Sequence, residues 1–199
     1  NMDIFMGSIL AGANAEAPSP FDFALGGAGA DASCPLGANG TPLTDGTAIL
    51  VDMAGNFSPY MTDMSRVFAV GELPDEAYRA HDVALEIQAA VEEAARPGAS
   101  CAELYNIAYN RAEKAGLSRN FMGTKQQAKF VGHGVGLQIN ELPVLTPRSK
   151  EVLEAGMVFA LEPKFVIPAT GAVGIENTFL VTETGVEKLT IFPETIHQL

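Results

Sequence analysis

Two aspartates set inside apolar, strand-like runs constrain this chain more than any other feature of it. Asp52 follows Ile49, Leu50 and Val51, while Asp63 precedes Val67, Phe68 and Val70. A carboxylate among such neighbours is costly unless a cation or hydrogen-bond donors compensate it. Gly55-Asn56 between them is a reversal signal, so the two runs are expected to form an antiparallel hairpin. Pairing about a centre between Phe57 and Ser58 would set Asp52 directly opposite Asp63 on one face. Like charges so placed repel unless something positive lies between them, and the simplest such thing is a metal ion.

The same device recurs towards the C-terminus. Met157 to Ile167 and Ala172 to Thr182 are strand-like and are joined by Pro168-Ala169-Thr170-Gly171. Each carries one glutamate, Glu162 and Glu176, and a hairpin centred on Ala169 sets the pair opposite one another. After a turn at Glu183-Thr184-Gly185, Val186 to Phe192 is expected to add a further strand.

Helical periodicity separates the two hairpins. Asp75 is expected to cap a helix whose apolar stripe is Ala80, Val83, Ala84, Ile87, Ala90, Val91 and Ala94, stopped by Arg96-Pro97-Gly98. Ser100-Cys101-Ala102-Glu103 is a capping box opening a second helix, with Leu104, Ile107 and Ala108 inward and Gly116 at its end. His81, on the first helix, is assigned a surface or capping role. His133 lies between Gly132 and Gly134, where missing side chains let backbone or ligand approach closely.

Composition excludes several classes of function. At 199 residues and 47% hydrophobic, the chain fits one domain with a substantial core. A formal net charge of -12 disfavours nucleic acid and anionic membrane surfaces alike. No apolar run approaches a membrane span, and Met2 to Ala15 lacks the cationic leader of a signal peptide. Cys34 and Cys101, far apart, are expected to be free thiols in a reducing cytoplasm. Residues 1–46 are rich in Gly, Ala and Pro, but no Lys-Ser/Thr follows Gly26-Gly27 and Gly29. A loop between short strands, Phe21 to Leu25 among them, is therefore expected rather than a phosphate cradle.

Asp52, Asp63, His133, Glu162 and Glu176 thus form one set of candidate ligands. Four carboxylates and one imidazole offer donors for two divalent ions. Such oxygen-rich ligation suits Mn, Co or Fe better than zinc, which is also compatible. Two ions roughly 3.5–4 Å apart would share a water, lower its pKa and hold it as a bridging hydroxide against a carbonyl.

These motifs resemble the pita-bread metallopeptidases, the family of methionine aminopeptidase, Xaa-Pro aminopeptidase and Xaa-Pro dipeptidase. The shared pattern is an Asp in a Val-Asp-Met-Gly-like strand, here Asp52, then an Asp eleven residues later in a Tyr-x-x-Asp-x-x-Arg context, here Tyr60, Asp63 and Arg66. A His in Gly-His-Gly-x-Gly-Leu (His133), a Glu in Glu-Pro (Glu162) and a Glu opening a Glu-Asn strand (Glu176) complete it. Residues from about 20 to 192 follow the family's order, and the short gap between the glutamates resembles the Xaa-Pro branch. The resemblance implies an α+β pita-bread fold, a curved antiparallel sheet with helices on its outer face and the acids on its inner face. It implies that Asp63 and Glu176 bridge two metals, manganese foremost. Asp52 would then hold one ion, and His133 with Glu162 the other. It also implies that Glu162 shuttles a proton during amide attack.

Departures from the pattern fall around the ligands. The family's second His, seven positions after the ligand His, is Asn140, and another, four before it, is Lys129. The Arg expected two residues before the last glutamate is Gly174, and the His before the first metal strand is missing from Cys34-Pro35-Leu36-Gly37. Lys129 is therefore expected either to hold a substrate carboxylate or oxyanion or to point to solvent beside a degenerate site, and Asn140 to give a hydrogen bond to substrate. Xaa-Pro members carry a separate N-terminal domain and open their catalytic domain with helical sequence. Residues 1–199 are accordingly expected to be a single C-terminal catalytic domain lacking both parts. The expected activity is dinuclear metal-dependent exopeptidase action, Xaa-Pro aminopeptidase or dipeptidase-like, on short peptides, with homodimerisation left open. The alternatives are a metal-binding module with lost or altered turnover and creatinase-like chemistry without metal.

Overall fold

The computed structural model describes residues 6–19 and 25–199. The strand expected at Phe21 to Leu25 lies outside the described residues except for Leu25. Strand β1 (Met6–Ala11) and a short 3-10 helix (Gly12–Glu16) precede the long hairpin of β2 (Thr47–Phe57) and β3 (Tyr60–Val70). Helices α1 (Asp75–Ala94) and α2 (Cys101–Lys114) follow. The remainder is strand: β4 (Gly132–Gly134), β5 (Glu141–Leu145), β6 (Val158–Leu161), β7 (Lys164–Ile167), β8 (Gly171–Gly174), β9 (Asn177–Val181), β10 (Val186–Lys188) and β11 (His197–Gln198). They form a four-stranded sheet β1-β2-β3-β11, a five-stranded sheet β10-β9-β6-β4-β5 and the β7-β8 pair. Among the described residues the pairings of these strands are antiparallel except that of β11 with β3.

The first hairpin turns later than its sequence suggests. Phe57 pairs with Tyr60, so the reversal is at Ser58-Pro59, with Ser58 in the left-handed region at φ 45, and not at Gly55-Asn56. Pro59 has no N–H to give a ladder, which suits it to the turn. Asp52 consequently faces Ser65, and Asp63 faces Ala54. The slip from the expected register is an even number of residues, so both acids keep to one face of the hairpin.

The second hairpin has the expected centre and an unexpected break. Leu161 pairs with Asn177 and Lys164 with Gly174, a common register about Ala169. Between those pairs the ladder thins to one bond, Ile175 N–H to Pro163 O at 3.2 Å, and Glu162 and Glu176 stand opposite one another. There Glu162 N–H donates to Val131 O at 2.9 Å, and Glu176 N–H donates to Ser65 O at 3.4 Å. Pro163, lacking an N–H, fits this thinning. The break thus ties Glu162 to the segment entering β4, and Glu176 to β3.

Helix α1 packs on β7 and β8, and α2 packs on α1 and β5. The α1 residues Ala80, Val83, Ala84, Ile87, Ala90 and Val91 are buried. Pro74, extended at φ -64 and ψ 147, is the residue before the helix, and Asp75 is its first residue rather than its cap. Asp75 and Glu76 there complement the helix dipole. Ser100 Oγ accepts from Glu103 N–H at 3.4 Å as the capping box requires, and Gly116, at φ +76, follows the C-cap Ala115. His81 departs from expectation: it is buried, with Nε2 2.7 Å from the Glu194 carbonyl, because the chain after β10 returns over α1.

That return is fastened by Arg66. Its guanidinium is buried and donates to the carbonyls of Ser65 (2.7 Å), Glu176 (2.8 Å), Phe192 (2.8 Å) and Pro193 (2.9 Å), and to Asn177 Oδ1 (2.8 Å). One side chain therefore joins β3, the strand break at Glu176 and the C-terminal segment. Arg66→Met keeps the apolar stem but leaves these acceptors unpaired, and should destabilise the fold by roughly 3 kcal/mol. Urea unfolding midpoints measure it, and a change within about 0.5 kcal/mol, as at an ordinary surface position, would show the network to be dispensable.

Candidate metal centre

Asp63 from β3, His133 from β4 and the two glutamates of the strand break are buried around one point, with Asp52 from β2 half-buried at its edge. His133 Nε2 lies 3.2 Å from Glu162 Oε1, 3.6 Å from Asp63 Oδ2 and 4.0 Å from Glu176 Oε1. Its Nδ1 donates to the Gly134 carbonyl at 3.1 Å, which turns Nε2 towards the acids. One donor atom each from Asp63, His133 and Glu176 falls within a mutual 4.8 Å, a set able to hold a metal ion. Behind the acids, Thr178 Oγ1 donates to Asp63 O at 2.7 Å and Ser65 Oγ donates to Glu176 Oε2.

The glycines beside His133 serve the sheet rather than a ligand. A Cβ on Gly132 would sit 2.4 Å from Ala160 O, and one on Gly134 would sit 2.3 Å from Leu142 O. Only glycine lets β4 lie this close to its neighbours while delivering an imidazole to the centre.

Lys164 also belongs to the site, and ligand-oriented sequence reasoning missed it. It is fully buried, and its Nζ donates to Glu162 Oε2 at 2.8 Å, Glu176 Oε2 at 2.8 Å and Asp52 Oδ2 at 3.1 Å. The signal was a lysine in an apolar run two positions after Glu162, a spacing that shares a face along an extended segment. Gly174, where the resemblance led to an arginine, is its cross-strand partner. A Cβ there would lie 2.4 Å from Pro163 O, so this backbone admits no larger residue.

The electrostatics follow from burial and from which acids Lys164 touches. Burial opposes the Lys164 ammonium, but Asp52, Glu162 and Glu176 outweigh it and raise its pKa well above the usual lysine value. Burial likewise opposes ionisation of Glu162, yet Lys164 and then His133 hold its carboxyl below the ordinary range. Asp52 is raised, by burial foremost, with Lys164 acting against that. Asp63 is pushed up to about 10 by burial and then by the charges of Glu176, Asp52 and Glu162. His133 is lowered by burial but raised more by Glu162 and Glu176, so its net shift is upward.

The other two residues assigned from sequence are placed differently. Asn140 lines the same cavity as Asp52, Asp63, His133, Glu162 and Glu176. Lys129 is exposed and is not among the residues lining that cavity, though its carbonyl accepts from Thr146 Oγ1 at 2.6 Å.

Without metal, a folded-state pKa of about 10 at Asp63 means that stability falls as pH rises from the ordinary carboxylate range towards that value. Asp63→Asn should therefore flatten this loss in chelator. In divalent metal the same variant should forfeit the ion's stabilisation, about 2.7 kcal/mol at free metal roughly a hundredfold above Kd. Melting temperatures with and without chelator, at acid and alkaline pH, measure both effects. Identical metal dependence in Asp63→Asn and the unsubstituted protein would contradict this assignment.

Comparison with known proteins agrees with this geometry. The family model described as Metallopeptidase family M24 matches residues 5–183. An Xaa-Pro dipeptidase from Pyrococcus furiosus is 34% identical over 145 residues, 73% of this chain and 40% of that protein. The chain spans about two fifths of the length of the curated relatives it matches. Among solved structures, a prolidase from Pyrococcus furiosus has a TM-score of 0.79 at 28% identity, covering 96% of this chain and 50% of that one. A methionine aminopeptidase from Rickettsia prowazekii shares the fold alone, at a TM-score of 0.64 and 20% identity, over 94% of this chain and 73% of that one. Because the family match runs through all the residues that the fold has gathered, the chain belongs to metallopeptidase family M24, with its pita-bread fold.

Proposed function

We propose that this domain is the catalytic part of a metal-dependent exopeptidase that hydrolyses the N-terminal peptide bond of short peptides, in the manner of Xaa-Pro aminopeptidases and dipeptidases. The observation carrying this reading is the convergence of Asp63, His133, Glu162 and Glu176 on a cavity that Asn140 also lines. The donor set fits a divalent cation, with oxygen predominant and one imidazole, and manganese suits it best. Once bound, such an ion supplies Lewis acidity towards an amide carbonyl and a water. The sequence expectation of two ions rests on the number of donors, and Lys164 competes for three of those oxygens.

The chain's own groups have distinct parts in this reading. Glu162, its Oε1 turned to His133 and its Oε2 to Lys164, is the residue to accept a proton and return it to the leaving amine. Asn140 donates a hydrogen bond to substrate across the cavity. Lys129, exposed and outside the lining of that cavity, has no part in this reading. Free Cys34 and Cys101 fit a reducing cytoplasm, and among the described residues no helix is long and apolar enough to cross a membrane. A second reading, a metal-holding module with lost turnover, draws on the oxygens that Lys164 occupies.

Release of the N-terminal residue from Xaa-Pro dipeptides and longer Xaa-Pro peptides, with manganese and with chelator, tests the proposal on the whole protein. Manganese-dependent release is expected. His133→Ala should lower it more than about 100-fold, since losing an outer-shell partner alone costs roughly 10–100-fold. Absence of release from any of these peptides, by folded and metal-loaded protein, would favour the module.

A further inference from the structure

We infer that this centre binds one divalent ion rather than two, because the ammonium of Lys164 stands where a second cation would be held. The inference rests on the metal-dependent reading above and fixes the number of ions in it. Its warrant is how each glutamate divides its oxygens. Glu162 gives Oε2 to Lys164 and turns Oε1 to His133; Glu176 does the same with its own Oε2 and Oε1. The cluster therefore has two compartments. One, formed by Asp52 Oδ2, Glu162 Oε2 and Glu176 Oε2, is filled by the Lys164 ammonium at 3.1, 2.8 and 2.8 Å. The other, formed by His133 Nε2, Asp63 Oδ2, Glu162 Oε1 and Glu176 Oε1, contains no side-chain cation among the described residues beyond the imidazole itself.

Two physical effects keep a second ion out. An ammonium has three protons and makes three hydrogen bonds here, so it uses the oxygens that would face an ion in its compartment. It also repels a divalent neighbour strongly in a buried setting, whereas an ion in the histidine compartment gains Asp63 and one oxygen from each glutamate. Lys164 cannot readily swing away, because it is fully buried and its strand is locked by the Lys164–Gly174 pairing. Asp52, the expected ligand of one ion, becomes instead the carboxylate that orients the lysine.

The test is uptake of manganese by the purified protein, measured by equilibrium dialysis with elemental analysis and by the paramagnetic resonance spectrum of the bound ion. Unsubstituted protein should bind one manganese per chain, with the resolved hyperfine pattern of an isolated ion. Lys164→Ala should bind two, with the altered spectrum of coupled ions. Two ions in the unsubstituted protein would overturn the inference and leave the metallopeptidase reading standing. One ion in folded Lys164→Ala would overturn the role given to Lys164. No ion in the unsubstituted, folded protein would overturn both readings. If Lys164→Ala does not fold, Asp52→Asn decides with the unsubstituted protein: retention of one manganese supports the two compartments, and its loss contradicts them.

Discussion

Four carboxylates gathered in and at the edge of the protein interior are the constraint on which this structure turns. Two like charges about 4 Å apart repel by roughly 4 kcal/mol at the effective dielectric of a protein near its surface. A set of four cannot stay ionised without cations among them. The chain supplies one itself, Lys164, and that ammonium reaches Asp52, Glu162 and Glu176. Asp63 is left facing the imidazole of His133 at 3.6 Å, its pKa pushed up by burial and then by the charges of Glu176, Asp52 and Glu162. The unmet demand lies on the histidine side, where the proposed divalent ion would answer it.

The fold delivers these groups from the middle of a hairpin whose outer edges are both taken up by neighbouring strands. Ile175 N–H donates across to Pro163 O at 3.2 Å, so Glu162 and Glu176 on either side of that bond form a non-hydrogen-bonded pair whose N–H groups face outward. Each is taken up by a neighbour, Glu162 by Val131 and Glu176 by Ser65. Arg66 secures the second of these attachments from behind, through the carbonyls of Ser65 and Glu176. Gly132 and Gly134 let β4 fit between β5 and β6, so that His133 arrives opposite both glutamates.

Much of this was legible in the sequence because strand periodicity is forgiving. The first hairpin turns at Ser58-Pro59 rather than Gly55-Asn56, yet Asp52 and Asp63 still share a face, since the slip was even. The centre of the second hairpin at Ala169 was readable from its turn residues. What was not legible depends on contacts distant in sequence. The burial of His81 comes from a segment more than a hundred residues away that returns over α1. Lys164 was overlooked because a lysine in a strand ordinarily reads as a solvated residue. Its meaning appears only when Asp52, far off in sequence, arrives beside it. Lys129 and Asn140 were assigned by the same resemblance, but the fold places only Asn140 in the wall of the cavity.

On the proposed reading, this cluster is a metal centre with a lysine built into it. Diffraction from crystals grown with manganese, measured on either side of the manganese absorption edge, tests it most directly. A single anomalous peak bounded by Asp63, His133, Glu162 and Glu176 is expected, with the Lys164 ammonium still on Asp52, Glu162 and Glu176. Two peaks with Lys164 turned out of the cluster, or no peak at saturating manganese, would contradict it.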